Sequence, residues 1–284
     1  MLREQIFRAG EIDLNYAEGP PSGPPLVLLH GVTRCWQDFL TVIPTLAYRW
    51  QVFALDFRGH GRSGRGNGNY LVLDYARDVV RFLRERLDEP AVVFGHSLGG
   101  LVTAAVAAEA PERVRATILE DPPFRSMGKT IGQTYYREMF RAFQELAGSG
   151  LAIDELVNGL AEIAIQPPRS ADRVRLADIR DPASLRFSAK GLSQMDPDVL
   201  TPVIDGRWLE GYDLEQILRS IACPSLLLQG NFNLGGALSD NDAELAAAWI
   251  RRCTFIRIRE VGHLIHSLHT EATLRFVTAF LEST

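Results

Sequence analysis

The sequence predicts an α/β protein, a mostly parallel central sheet with helices on both faces, interrupted once by a long helical insertion. Three observations carry this expectation. Short apolar runs bounded by turn residues alternate with longer stretches of helical periodicity, which is how strand–helix–strand units read. One of those runs, Ala91-Val92-Val93-Phe94, passes through Gly95-His96-Ser97-Leu98-Gly99 straight into the Ala-rich stretch Leu101 to Ala108, giving strand, sharp turn and helix in succession. The strand signal then stops at Phe124 and returns only at Cys223, so residues 124–220 stand apart from the rest.

The elements follow in order. Gln5 to Ala9 and Glu11 to Ala17 read as an antiparallel pair, and the Pro-rich stretch Gly19 to Pro25 is a loop that no helix could occupy. Leu26 to Leu29 and Val52 to Leu55 are unbroken apolar runs, as expected of strands covered on both faces. Tyr70 to Leu87 places Leu71, Tyr75, Val79, Phe82 and Leu83 on one helical face. Val114 to Leu119 is the sixth strand. A second half begins at Cys223 to Leu228 and continues with a helix from Asp242 to Arg251, a strand from Thr254 to Arg259 and a helix from about Thr270 to Glu282. A core of residues 1–123 and 221–284 is therefore expected, with residues 124–220 as a helical lid inserted after the sixth strand. Within the lid, turns are expected at Gly148-Ser149-Gly150, Pro167-Pro168 and Asp196-Pro197, and Tyr135, Met139, Phe143 and Leu146 make one apolar helix face.

Composition narrows the function classes. With 284 residues, 46% of them hydrophobic, the chain can bury one large core plus an insertion. A net charge of −5 with no basic block points away from nucleic acid and anionic membranes. Cys35, Cys223 and Cys253 fit neither a disulfide framework nor a zinc spacing, so reduced, structural cysteines are expected. The N-terminal residues include Arg3, Glu4 and Arg8 and no long apolar run, which speaks against a signal peptide or membrane span. The expectation is a cytoplasmic monomer or homodimer acting on a small molecule.

Ser97 is the chemical centre of the sequence. A serine between a buried strand and a helix sits on a strained turn that needs small neighbours, here Gly95 and Gly99, and its hydroxyl stands exposed above the sheet. The Leu98 N–H opens the new helix, where the helix dipole favours negative charge, and His30-Gly31-Val32 ends the neighbouring strand at the same sheet edge. The Val32 and Leu98 N–H groups are thus the expected oxyanion donors. With the turn Asp56-Phe57-Arg58-Gly59-His60-Gly61-Arg62-Ser63, these residues resemble the α/β-hydrolase superfamily, in the branch with an HG oxyanion loop and a GHSLGG elbow. The resemblance covers nearly the whole chain and implies that fold and a serine nucleophile.

His263, in Glu260-Val261-Gly262-His263 after the last strand, is the expected general base. His266 and His269 read as surface or packing residues, and His30, His60 and His96 as parts of the motif turns. The acid departs from the commonest pattern. Most relatives place an Asp after the seventh strand, where this chain has Gly230-Asn231-Phe232-Asn233. Asp240 and Asp242 lie on that connection but look like a helix start. Asp121 ends the sixth strand, twenty-four residues after Ser97. The same offset holds in the haloalkane dehalogenases, fluoroacetate dehalogenases and zearalenone-type lactone hydrolases that this region resembles, and the resemblance implies Asp121.

The expected reaction is acyl transfer to water, needing no metal or cofactor: hydrolysis of a carboxylic ester or lactone of a small, largely apolar substrate. Pocket walls are expected from Trp36, His96, Phe124, Tyr136, Met139 and Phe140, with Phe39, Trp208 and Tyr212 as further candidates. Arg34, Arg58 and Arg62 are read as structural or solvated. The same motifs also occur in hydrolases that cut a carbon–carbon bond beside a ketone and in receptor-like homologues that sense a ligand.

Overall fold

The computed structural model describes residues 2–166 and 172–284; the expected Pro167-Pro168 turn lies outside them. β1 (Arg3–Ala9) and β2 (Ile12–Glu18) form the antiparallel edge hairpin. β3 (Pro25–Leu29), β4 (Gln51–Leu55), β5 (Ala91–His96) and β6 (Val114–Glu120) are almost wholly buried. Their Val, Leu and Ile content follows from that position, since both faces of a parallel sheet are covered by helices.

Between β6 and the next sheet strand the chain builds helices at Tyr136–Ala147, Ile153–Glu162 and Pro182–Ser193. It also forms a two-stranded antiparallel pair, β7 (Ala164–Ile165) and β8 (Val174–Arg175), which the all-helical expectation lacks. Two residues per strand are too few to show a period in the sequence. β9 (Ser225–Gln229) and β10 (Cys253–Arg257) complete the main sheet, whose order is β1-β2-β4-β3-β5-β6-β9-β10 with every pair from β4 to β10 parallel.

Successive residues of a strand face opposite sides. Val27 and Leu29 point into a cluster with Tyr75, Val79, Leu101 and Val102, whereas Leu26 and Leu28 join Phe39, Phe94, Val277 and Phe280 on the other side. At about 1.5–3 kcal/mol for each fully buried large apolar side chain, these two layers fix the strand register strongly. In the helix Tyr136–Ala147 the buried residues are Tyr136, Met139, Phe140 and Phe143. Tyr135 and Leu146, at the ends of the expected stripe, are half-buried, and Tyr135 caps the helix instead of lying within it. Among the described residues no helix is long and apolar enough to cross a membrane. The parallel strands all deliver their C-terminal ends to one sheet edge, where open α/β sheets place their ligands.

Candidate active site

Ser97 directly follows β5 with φ 54° and ψ −114°, a conformation that non-glycine residues rarely hold and that marks stored strain. The chain can turn so sharply because Gly99 has no side chain. A Cβ there would collide with the Leu29 carbonyl oxygen, and the Gly99 N–H instead donates to the His30 carbonyl at 3.2 Å. The helix Leu98–Glu109 starts at once, so the Leu98 N–H is its first donor and has no intrahelical carbonyl to bind.

The loop after β3 lies against this elbow. A Cβ on Gly31 would stand 3.2 Å from Ser97 Cβ. The loop is a tight turn closed by Arg34 N–H to Gly31 O at 3.2 Å, with Thr33 at φ 68°. Two buried histidines pin it. His30 donates from Nδ1 to Gly31 O at 2.7 Å and accepts the Phe57 N–H at 3.1 Å, while His60 donates to Arg58 O and accepts the Thr33 N–H at 3.3 Å. Burial pushes their pKa values down, to about 4 for His30 and about 3 for His60, so both stay neutral and keep these tautomers.

Asp121 follows β6 at φ 45° and is fully buried. Its Oδ1 accepts the N–H groups of Gly230 at 3.1 Å and Leu238 at 3.3 Å, and its Oδ2 accepts that of Ala237 at 2.7 Å. The same Oδ2 accepts His263 Nδ1 at 2.6 Å. The carboxylate is thus aimed by three backbone donors of the loop after β9, and it fixes the ring of His263 in turn. The His263 carbonyl accepts from His96 Nε2 at 3.0 Å, and the two rings lie 4.7 Å apart. That contact brings His263 beside the residue that precedes Ser97. Among the described residues no hydrogen bond joins Ser97 Oγ to His263; such contacts commonly tighten only when substrate is bound.

Beneath this pair is a second buried acid–imidazole pair. His266 Nδ1 meets both oxygens of Glu120 at 2.9 and 3.0 Å, and its Nε2 lies 3.2 Å from Asp38 O and 3.6 Å from Asp38 Oδ2. Arg34 pairs with Asp38 from its other side, Nε to Oδ1 at 2.8 Å. Of the two expected roles, surface or packing, His266 takes the buried one, and against the penalty of burial Glu120 and Asp38 raise its pKa to about 10. A folded-state pKa raised above the ordinary 6.5 contributes stability that is complete below that value and is lost as pH rises through about 10. Urea midpoints of the wild type should accordingly fall between pH 7 and 10. His266→Gln should be less stable at pH 7 and lose that slope; an unchanged slope would show that His266 is not the group responsible.

Phe124, Tyr136, Met139 and Phe140 belong to the same apolar cluster as Val32 and Leu98. Trp36 does not. It packs with Phe39 on the opposite face of the sheet, and its Nε1 donates to Glu4 on the edge strand at 2.8 Å, so the expectation of Trp36 and Phe39 as pocket walls is corrected. His96 is buried beside Ser97 and donates to the His263 carbonyl. Trp208 and Tyr212 are core residues, the latter donating to Leu101 O. Asp240 and Asp242 sit in the first turn of the helix Asp240–Trp249, the one bound by Gln229 and the other by Arg125, away from His263. Arg34, Arg58 and Arg62 are each held in an ion pair, with Asp38, Asp78 and Glu4.

Comparison with known proteins adds the family. The model for the alpha/beta hydrolase fold matches residues 24–270. The chain belongs to the α/β-hydrolase family. This α/β-hydrolase is 35% identical over 292 residues to the 2-(acetamidomethylene)succinate hydrolase of Mesorhizobium japonicum, covering 96% of this chain and 93% of that protein. Two solved structures share its fold. An E-2-(acetamidomethylene)succinate hydrolase superposes with TM-score 0.76 at 22% identity over 99% of this chain and all of that one. The enol-lactonase of Burkholderia xenovorans does so with TM-score 0.75 at 18% identity over 98% of this chain and all of that one.

Proposed function

We propose that this α/β-hydrolase cleaves a carboxylic ester or lactone of a small substrate through an acyl-enzyme on Ser97. The observation that carries the reading is the 2.6 Å contact between His263 Nδ1 and Asp121, made at the sheet edge from which the strained Ser97 emerges. With Nδ1–H donated to the carboxylate, His263 Nε2 is the free base. It takes the proton of Ser97 Oγ as the oxygen bonds to the substrate carbonyl carbon. The carbonyl electrons move onto oxygen, where the N–H groups of Val32 and Leu98 stabilise the oxyanion. Collapse breaks the bond to the leaving oxygen, which receives the proton from His263. Water, deprotonated by the same nitrogen, then releases the acid and restores Ser97.

Residues 124–220 act in this reading as a lid whose Phe124, Tyr136, Met139 and Phe140 exclude water from the reacting atoms. A second reading is favoured by the relative at 35% identity, which is named for hydrolysis of 2-(acetamidomethylene)succinate. In it the bond cut is an amide, and the leaving nitrogen takes the same proton.

Short-chain p-nitrophenyl esters test the proposal. Many turnovers per protein molecule, and labelling by a serine-directed fluorophosphonate, are expected. One modification event followed by arrest would mean a ligand sensor, and no reaction with ester or label would remove the hydrolase reading.

A further inference from the structure

Several arginines near the loop after β3 and on residues 124–220 are paired with carboxylates. Arg34 has Asp38, Arg58 has Asp78, Arg175 has Asp178 and Arg186 has Asp154. Arg180 is different. It is half-buried and makes no ion pair among the described residues. The titratable groups facing its guanidinium are a second cation, Arg34, and the phenols of Tyr135 and Tyr136. Loss of water, and then the Arg34 charge, lower its pKa from the usual arginine value. A half-buried cation with no anion of its own is costly.

Its neighbours locate it. Arg180 precedes Asp181, the cap of the helix Pro182–Ser193, and that helix lies on the loop after β3. Its Gly191 leaves no room for a Cβ against Thr33 O, its Ser188 Oγ is 3.4 Å from Arg34 Nη1, and Phe187 stacks under the Arg34 guanidinium at 4.4 Å. On the opposite side, Tyr136 donates to Gly235 O at 2.9 Å, and Gly235 is two residues from Ala237, a donor to Asp121. Tyr135 stacks on Tyr136 with ring centroids 4.2 Å apart. Of the groups around Arg180, Arg34 stands on the loop that carries Val32, and Tyr136, on the helix Tyr136–Ala147, is tied by its hydroxyl to the loop that holds Asp121.

We infer that the substrate carries a carboxylate, and that Arg180 binds it through its planar pair of N–H donors, assisted by the Tyr135 hydroxyl. The substrate class becomes a half-ester of a short dicarboxylic acid, or a lactone bearing a carboxylate. Its apolar part faces Met139 and Phe140, and its anion faces Arg180. This rests on Ser97 hydrolysis as proposed above and deepens it. Planar, bidentate carboxylate recognition is what arginine does better than lysine.

The test compares monoethyl succinate with ethyl 4-methylpentanoate, in which an isopropyl group replaces the carboxylate. Wild type should prefer the acid. Arg180→Gln should lower kcat/KM for monoethyl succinate by about 10–100-fold, the scale of a hydrogen bond to a charged group, and leave the neutral ester unchanged. The unliganded variant should be at least as stable as wild type, because an uncompensated cation has been removed. Equal losses on both esters, marked destabilisation, or a wild type indifferent to the carboxylate would overturn the inference. A second arm needs no turnover: at constant ionic strength, succinate should raise the Tm of wild type and not that of Arg180→Gln. If succinate binds in this Arg180-dependent way while neither ester is hydrolysed, the anion site stands and the hydrolase reading fails. If the neutral ester is hydrolysed and succinate has no effect, the reverse holds.

Discussion

Ser97→Ala should reduce ester hydrolysis by about 10⁶-fold in kcat, the scale for loss of a serine nucleophile, and abolish fluorophosphonate labelling. The fold should survive. Ser97 is 4% exposed, but its hydroxyl makes no hydrogen bond among the described residues, so its removal leaves no partner unsatisfied. Alanine keeps the Cβ that the elbow already accommodates at φ 54°, and the elbow is held by backbone contacts, Ser97 N–H to Glu120 O at 2.8 Å and Gly99 N–H to His30 O. A Tm close to wild type with no turnover is the expected pair of results. Near-normal turnover in the alanine protein would show that another group attacks the carbonyl.

The elbow was legible in the sequence because its requirements are local: a buried run, a glycine two residues on either side of Ser97, and a helix. The strands were legible for a similar reason, since burial on both faces leaves unbroken apolar runs. What the sequence hid depends on partners distant along the chain. His266 reads as a surface or packing residue three positions after His263; it is a buried one, and nothing local marks it as charged, because its partner Glu120 is 146 residues away. Arg180 carries no local mark at all, because what distinguishes it is partial burial with no acid brought to it across the fold. Trp36 shows the opposite failure. It lies close in sequence to Val32, but its ring direction is set by Glu4, 32 residues away on the edge strand. Asp121 is reached through the resemblance, by the offset from Ser97 that the dehalogenases and lactone hydrolases share; the three N–H groups that aim its carboxylate come from a loop 109–117 residues later.

That cradle gives Asp121→Asn a specific consequence. An amide has one acceptor oxygen and one donor nitrogen, where the carboxylate offers two acceptors. Placing the nitrogen at Oδ1 would oppose two backbone donors, Gly230 and Leu238. Placing it at Oδ2 opposes one, Ala237, and meets His263 Nδ1. The second orientation costs less, and the left-handed backbone at φ 45° suits asparagine. In that orientation the amide donates to Nδ1, so the imidazole proton moves to Nε2, the nitrogen that must accept the Ser97 proton. Catalysis is then blocked by the wrong tautomer with the fold largely intact, and kcat should fall by about 10³–10⁴-fold. Stability should drop by about 1–3 kcal/mol for the one backbone donor left facing another donor. Asn233→Ala is the matched control. Asn233 is exposed, its backbone N–H is already bound by Asn231 Oδ1 at 3.0 Å, and its loss should leave kcat nearly unchanged. If Asp121→Asn keeps most of its kcat while loss of Asp240 or Asp242 is severe, His263 must take its charge partner from the connection after β9, and the ring observed against Asp121 is not the reacting arrangement.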